Sequence, residues 1–62
     1  MVSFKQVTFA ALTSNSLDFI WKAREELCRG YAFVKKNSEE AKFLDLAIGH
    51  IDIHMANVTA RS

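Results

Sequence analysis

The chain has 62 residues, half of them hydrophobic, and its eight Lys and Arg nearly balance seven Asp and Glu for a net charge of +1. A chain this short makes one domain, 1–62, and buries only about 60% of the surface of its unfolded form, so a disulfide, a metal or a partner chain usually supports it. The single cysteine, Cys28, excludes an intramolecular disulfide, and the balanced charge gives no general attraction to nucleic acid or to an anionic membrane.

The first segment, 1–15, is an N-terminal arm whose conformation the sequence leaves open. Ser3 to Gln6 has the pattern of a capping box, which favours a short helix. Val7, Thr8 and Phe9 favour a strand instead. We expect a short helix or a loosely ordered arm that packs Phe4 and Phe9 onto the rest of the molecule.

The second segment predicts a helix over 16–36. Asn15 or Ser16 can cap its start, and Asp18 places a negative charge at the positive helix end. Apolar residues recur at the three-and-four spacing of one helix face, with Arg24 filling a gap in the row. This row consists of Leu17, Ile20, Leu27, Tyr31 and Val34.

The third segment predicts a turn at 37–38 followed by a helix over 39–58. Asn37 tolerates the left-handed conformation that ends a helix, and Ser38 can cap the next one. With Asn37 as N-cap, Glu40 would complete a capping box. The inner face of the helix consists of Leu44, Ala47, Ile48, Ile51, Met55 and Val58. Two long helices joined by so short a turn fold back on each other, which predicts an all-α antiparallel two-helix hairpin.

Both helices carry more apolar residues than one hairpin can bury, and monomers rarely expose a contiguous apolar patch. We therefore expect a homodimer in which two hairpins form a four-helix bundle, in preference to a monomer whose arm covers the surplus. Trp21, Phe19 and Phe43 are the expected anchors, because aromatic side chains concentrate binding energy. The predicted dimer or partner interface consists of Phe19, Trp21, Cys28, Gly30, Phe33, Phe43, Leu46 and Ile53.

The two glycines lie inside predicted helices, where each costs about 1 kcal/mol relative to alanine. Close packing at a helix crossing or a dimer seam is the favoured explanation for Gly30. For Gly49 two explanations stay open: close packing, or a loss of helix stability at an exposed position that no contact offsets.

Catalytic chemistry has few candidates in this sequence. His50 and His54 share a helix face and could hold one metal ion together, but Asp52 points elsewhere and no third ligand is evident. A position at the edge of the buried face is the preferred interpretation of both histidines, so no metal or other cofactor is expected. Cys28 sits among apolar neighbours and is expected to be buried and inert. The sequence predicts that the protein is not an enzyme.

No segment approaches the ~20 apolar residues of a membrane span, and the N-terminus lacks the pattern of a signal peptide. The lone thiol fits a reducing compartment, so we expect a cytoplasmic protein without membrane association.

In its size, near-neutral charge, its opening residues 4–9 and the stretch 30–33, the chain resembles the short accessory proteins of the lambdoid phage early region, between the exonuclease and excisionase genes. This resemblance implies a small early regulator that binds host proteins in the host cytoplasm, and it assigns no site residue. We expect a regulatory protein that acts through protein–protein contacts with a host or phage partner. The alternative is a small nucleic-acid-binding transcriptional regulator, with Trp21 and Tyr31 beside a basic face. The basic residues of that face are Lys22, Arg24, Arg29, Lys35, Lys36 and Lys42.

Overall fold

Three α-helices and one 3-10 turn make up the computed structural model, which describes residues 3–61. The elements are α1 (Phe4–Thr13), α2 (Leu17–Gly30), the 3-10 turn (Tyr31–Phe33) and α3 (Glu39–Arg61). The parts of the predicted arm and domain that fall on residues 1, 2 and 62 lie outside the described chain. The all-α class is confirmed, while the two-helix hairpin is corrected to a layout of three helices.

The N-terminal arm is the helix α1, and it begins with the predicted capping box. The Ser3 hydroxyl accepts from the Gln6 amide at 3.2 Å, and the Gln6 side chain accepts from the Ser3 amide at 3.2 Å. Helical spacing then places Phe4, Val7 and Ala11 against the core, and Ala11 is fully buried.

The expectation that Phe9 packs on the molecule is wrong. Phe9 is 71% exposed, because it lies about 140° around the helix from Phe4 at ~100° per residue and so points away from the core. The arm therefore contributes Phe4 to the core and leaves its second aromatic ring in solvent.

Helix α2 begins at the predicted cap, where the Ser16 hydroxyl accepts from the Phe19 amide at 3.4 Å. It ends at Gly30 and tightens into the 3-10 turn, although the sequence pattern extends to Lys36. Glycine is unfavourable inside a helix, so Gly30 is a natural end for α2. Beyond it, the Lys35 carbonyl accepts a hydrogen bond at 2.7 Å from the Ser38 hydroxyl instead of from a helical amide. The two lysines thus belong to the turn rather than to the helix.

The turn before α3 has the expected residues in partly different roles. Asn37 adopts the left-handed conformation, with φ of 63°. It therefore cannot be the N-cap, which needs extended backbone, and the capping box with Glu40 is wrong. Ser38 caps α3 instead, and its hydroxyl accepts from the Ala41 amide at 3.2 Å.

Helices α2 and α3 are antiparallel, as two contacts show. Arg24 in the middle of α2 binds Asp52 in the second half of α3. Directly after the end of α2, the Tyr31 hydroxyl donates to the Ala41 carbonyl near the start of α3, at 3.3 Å. Helix α3 continues to Arg61, three residues beyond the predicted end.

The buried core lies where α2 and α3 face each other and α1 crosses both. The predicted inner rows of α2 and α3 supply its large side chains, and small residues fill the space between them. The core consists of Ala11, Ile20, Ala23, Leu27, Leu44, Ala47, Ile51 and Val58.

Candidate interaction surface

Large apolar side chains lie in solvent on all three helices and on the 3-10 turn. Among residues 3–61, four large side chains are fully buried, namely Ile20, Leu27, Leu44 and Ile51. The large apolar side chains exposed among residues 3–61 therefore outnumber the fully buried ones, seven to four. The exposed set consists of Phe9, Leu12, Phe19, Trp21, Phe33, Leu46 and Ile53.

Six of the predicted interface residues lie at the surface. Phe33 on the 3-10 turn is the most exposed, at 89%, and Leu46 and Ile53 lie on the side of α3 away from the core. The exposed predicted residues are Phe19, Trp21, Cys28, Phe33, Leu46 and Ile53.

The other two predicted interface residues, Phe43 and Gly30, have contacts within the chain. Phe43 is half-buried against the core. Gly30 is buried under the ring of Phe4, and a Cβ there would lie 2.5 Å from the Phe4 ring. Close packing explains Gly30, as expected, but its neighbour is α1 of the same chain and not a second copy.

A polar network joins α2 to α3 on the open side of the pair. Arg24 Nε donates to Asp52 Oδ1 at 2.7 Å, and the Arg24 guanidinium lies 5.6 Å from the centre of the Trp21 ring. The hydrogen bond to Asp52 raises the pKa of Arg24 above its ordinary value. This cation–π contact lies beside the exposed face of Trp21, which is 57% exposed.

Cys28 belongs to the same network, and the expectation that it is buried is wrong. Its thiol is exposed and accepts from Arg24 Nη1 at 3.8 Å. The residue lies one turn beyond Arg24 on the side of α2 that faces away from α1, where no helix covers it. Its apolar neighbours in sequence lie on other faces of α2, which explains why the pattern is misleading.

The two histidines are in different surroundings. His54 is half-buried, and its Nε2 lies 2.7 Å from the Ser14 carbonyl oxygen, which ties α3 to the α1–α2 turn. His50 is exposed. Within residues 3–61 no group of three or more His, Cys, Asp or Glu side chains is placed to hold a metal ion.

Two open grooves have apolar floors and charged rims. One has a volume of about 420 Å³ and lies between the start of α1 and the start of α3, where Phe4 and Phe43 form the floor. Glu39, Glu40 and Lys5 form its rim. The other, of about 290 Å³, lies between α1 and α2 beside Phe19.

Two arginines pair with acidic side chains at the surface. Arg29 lies 3.5 Å from Glu25 and 3.7 Å from Glu26 on the outer side of α2. With Arg24 bound to Asp52, two of the basic residues that could form a nucleic-acid face are partly neutralised.

Comparison with known protein families, curated proteins and solved structures finds no match to this chain. Among residues 3–61, no helix combines the length and the apolar character that crossing a membrane requires.

Sequence reasoning identifies the exposed apolar residues of α2, the 3-10 turn and α3, but it misses Phe9 and Leu12 on α1 and the contacts between elements. The Arg24–Asp52 pair, the Tyr31–Ala41 hydrogen bond and the His54–Ser14 contact all depend on how the helices align. For the Arg24–Asp52 pair the sequence contains one signal, which is the position of Arg24 in the inner row of α2. A charged residue at the edge of a core needs a partner of opposite charge.

Proposed function

We propose that the protein is a small, non-enzymatic regulatory protein that acts through protein–protein contacts and is itself a homodimer. The observation that carries the proposal is the exposed set of large apolar side chains, which a partner surface would bury at about 25 cal/mol per Å². In such a dimer, the α3 helices of the two copies would lie at the centre, with α2 and α1 of each copy on the outer sides.

The total exposed area supports a missing partner. The chain exposes 4737 Å² at a mass of 7.0 kDa, whereas a typical folded monomer of this mass exposes about 4,000 Å². This larger surface favours a partner that covers part of it.

The polar side chains support a binding role over a catalytic one. A general base beside a cysteine nucleophile is usually a histidine, but His54 is engaged by the Ser14 carbonyl. The ion pairs of Arg24 and Arg29 likewise favour a protein partner over nucleic acid, because they reduce the local positive field.

Thermal unfolding at increasing protein concentration tests the dimer. Because association stabilises the folded state by mass action, the Tm measured by circular dichroism should rise with chain concentration. High salt should not abolish this dependence, since apolar burial is not screened. A Tm independent of concentration would contradict the proposal, and strong salt-sensitive binding to DNA or RNA would favour the nucleic-acid alternative.

A further inference from the structure

The side of α3 opposite the core carries a row of alternating large and small residues, which we call the outer strip. It consists of Leu46, Gly49, Ile53 and Ala56, spaced by three, four and three positions. Such spacing keeps all four on one helix face and is the spacing at which two helices interlock. Leu46 is 66% exposed and Ile53 is 63% exposed, so no other part of the described chain covers the strip.

Gly49 at the middle of the strip has no explanation within the chain. A Cβ added at this position would meet nothing within 4 Å, in contrast to Gly30 under Phe4. Glycine inside a helix costs about 1 kcal/mol relative to alanine, and here no close contact offsets that cost. A second helix that approaches α3 at Gly49 would provide the contact.

The strip is complementary to a second copy of itself in the antiparallel orientation. When the outer sides of two antiparallel α3 helices meet at the level of Ile51, Ile53 of each copy lies opposite Gly49 of the other. Leu46 of each copy then lies opposite Ala56 of the other. Both pairs have their midpoint at Ile51, so one twofold axis satisfies them together. Each large side chain then meets a small one, which permits close helix packing.

The charges at the ends of α3 favour the same orientation. Glu39 and Glu40 lie in its first turn and Arg61 in its last. An antiparallel pair brings the acidic start of each helix beside the basic end of the other, whereas a parallel pair places like charges together. The opposed helix dipoles add to this preference.

We propose that two copies of this chain pair through the outer strip, with their α3 helices antiparallel; this inference rests on the proposed homodimer.

Sedimentation equilibrium of two matched variants tests the strip. Leu46→Glu should raise the dimer dissociation constant about a hundredfold or more, because both copies lose a buried leucine. Phe9→Glu is the control: it makes the same change at a residue that is 71% exposed on α1 and should leave the constant unchanged. Ile53→Lys provides a second variant in the strip, and circular dichroism confirms that each variant is helical.

The possible results separate the two proposals. A wild-type chain that dimerises, with Leu46→Glu and Ile53→Lys equally dimeric, would overturn the strip and leave the homodimer standing. Equal weakening by Phe9→Glu would also overturn it, since the strip would then have no special role. A wild-type chain that stays monomeric would overturn the homodimer and the strip together.

Disulfide trapping tests the orientation. In a Cys28→Ser background, chains carrying Leu46→Cys are mixed with chains carrying Ala56→Cys and oxidised. The antiparallel pair predicts a mixed disulfide between the two variants and little linkage of either variant to itself. Self-linked dimers of each variant alone would indicate a parallel pair and overturn the proposed orientation.

Discussion

At the scale of single residues, replacing Gly30 by alanine should lower the stability of the fold, whereas replacing Gly49 should raise it. Gly30→Ala would place a methyl group 2.5 Å from the Phe4 ring, so Phe4 must move and its packing weakens. We expect a loss of about 1 kcal/mol in the free energy of unfolding, after the gain in helix propensity is included. Urea unfolding of dilute protein measures this loss in the free energy of unfolding.

The Phe4 ring supplies the control for this prediction. In a Phe4→Ala background the obstacle to a side chain at Gly30 is gone. Gly30→Ala should then stabilise the fold by about 1 kcal/mol, through helix propensity alone. Equal effects of Gly30→Ala in both backgrounds would contradict the contact.

The single tyrosine is a reporter of the α2–α3 contact. The nearby Asp45 carboxylate, which disfavours the phenolate, together with burial raises the pKa of the Tyr31 hydroxyl above its usual ~10. Because the folded pKa is the higher one, this contribution to stability is complete below pH ~10 and is lost as the pH rises through the folded pKa.

Ultraviolet absorbance of the phenolate measures the titration of this one tyrosine directly. The apparent pKa should exceed that of the unfolded chain, and Asp45→Asn should lower it toward the unfolded value. An apparent pKa that does not respond to Asp45→Asn would show that the carboxylate is not its cause.

At the scale of the elements, Ser38 controls where α3 begins. Its hydroxyl donates to the Lys35 carbonyl at 2.7 Å and accepts from the Ala41 amide at 3.2 Å. Ser38→Ala removes both bonds and should cost about 1–2 kcal/mol of the free energy of unfolding. Ser38→Thr keeps a hydroxyl and should cost much less; an equal loss in both variants would contradict the capping role.

The helices and their inner rows follow from the sequence because periodicity and capping residues are local signals. Ser16 begins α2, and Ile20, Leu27, Leu44 and Ile51 are buried as their spacing predicts. The end of α2 does not follow, since it depends on Ser38 capturing a carbonyl across the turn.

The role of α1 could be predicted only in part. Its capping box is visible in the sequence, but the placement of Phe4 over Gly30 is a contact between residues 26 positions apart. Local propensity contains no information on such a contact. The same limit applies to Cys28, whose exposure depends on which side of α2 the first helix covers.

At the scale of the whole molecule, Gly49 links folding to association with opposite signs. Gly49→Ala should stabilise the monomer by about 1 kcal/mol, because the helix gains propensity and the new methyl group meets nothing within the chain. In the proposed dimer the same methyl group separates the two α3 helices, so association should weaken. Unfolding of dilute protein measures the first effect, and the dimer dissociation constant measures the second. Stronger association of the variant would contradict the close approach at Gly49.

We propose that the isolated chain is one half of a homodimer, and its molar mass in solution tests this most directly. Sedimentation equilibrium of the wild-type chain should give a mass approaching twice 7.0 kDa as the concentration rises from low to high micromolar. A mass that stays at 7.0 kDa throughout this range would contradict the homodimer. Residues such as Trp21, Leu46 and Ile53 would then be free in the monomer for a different protein partner.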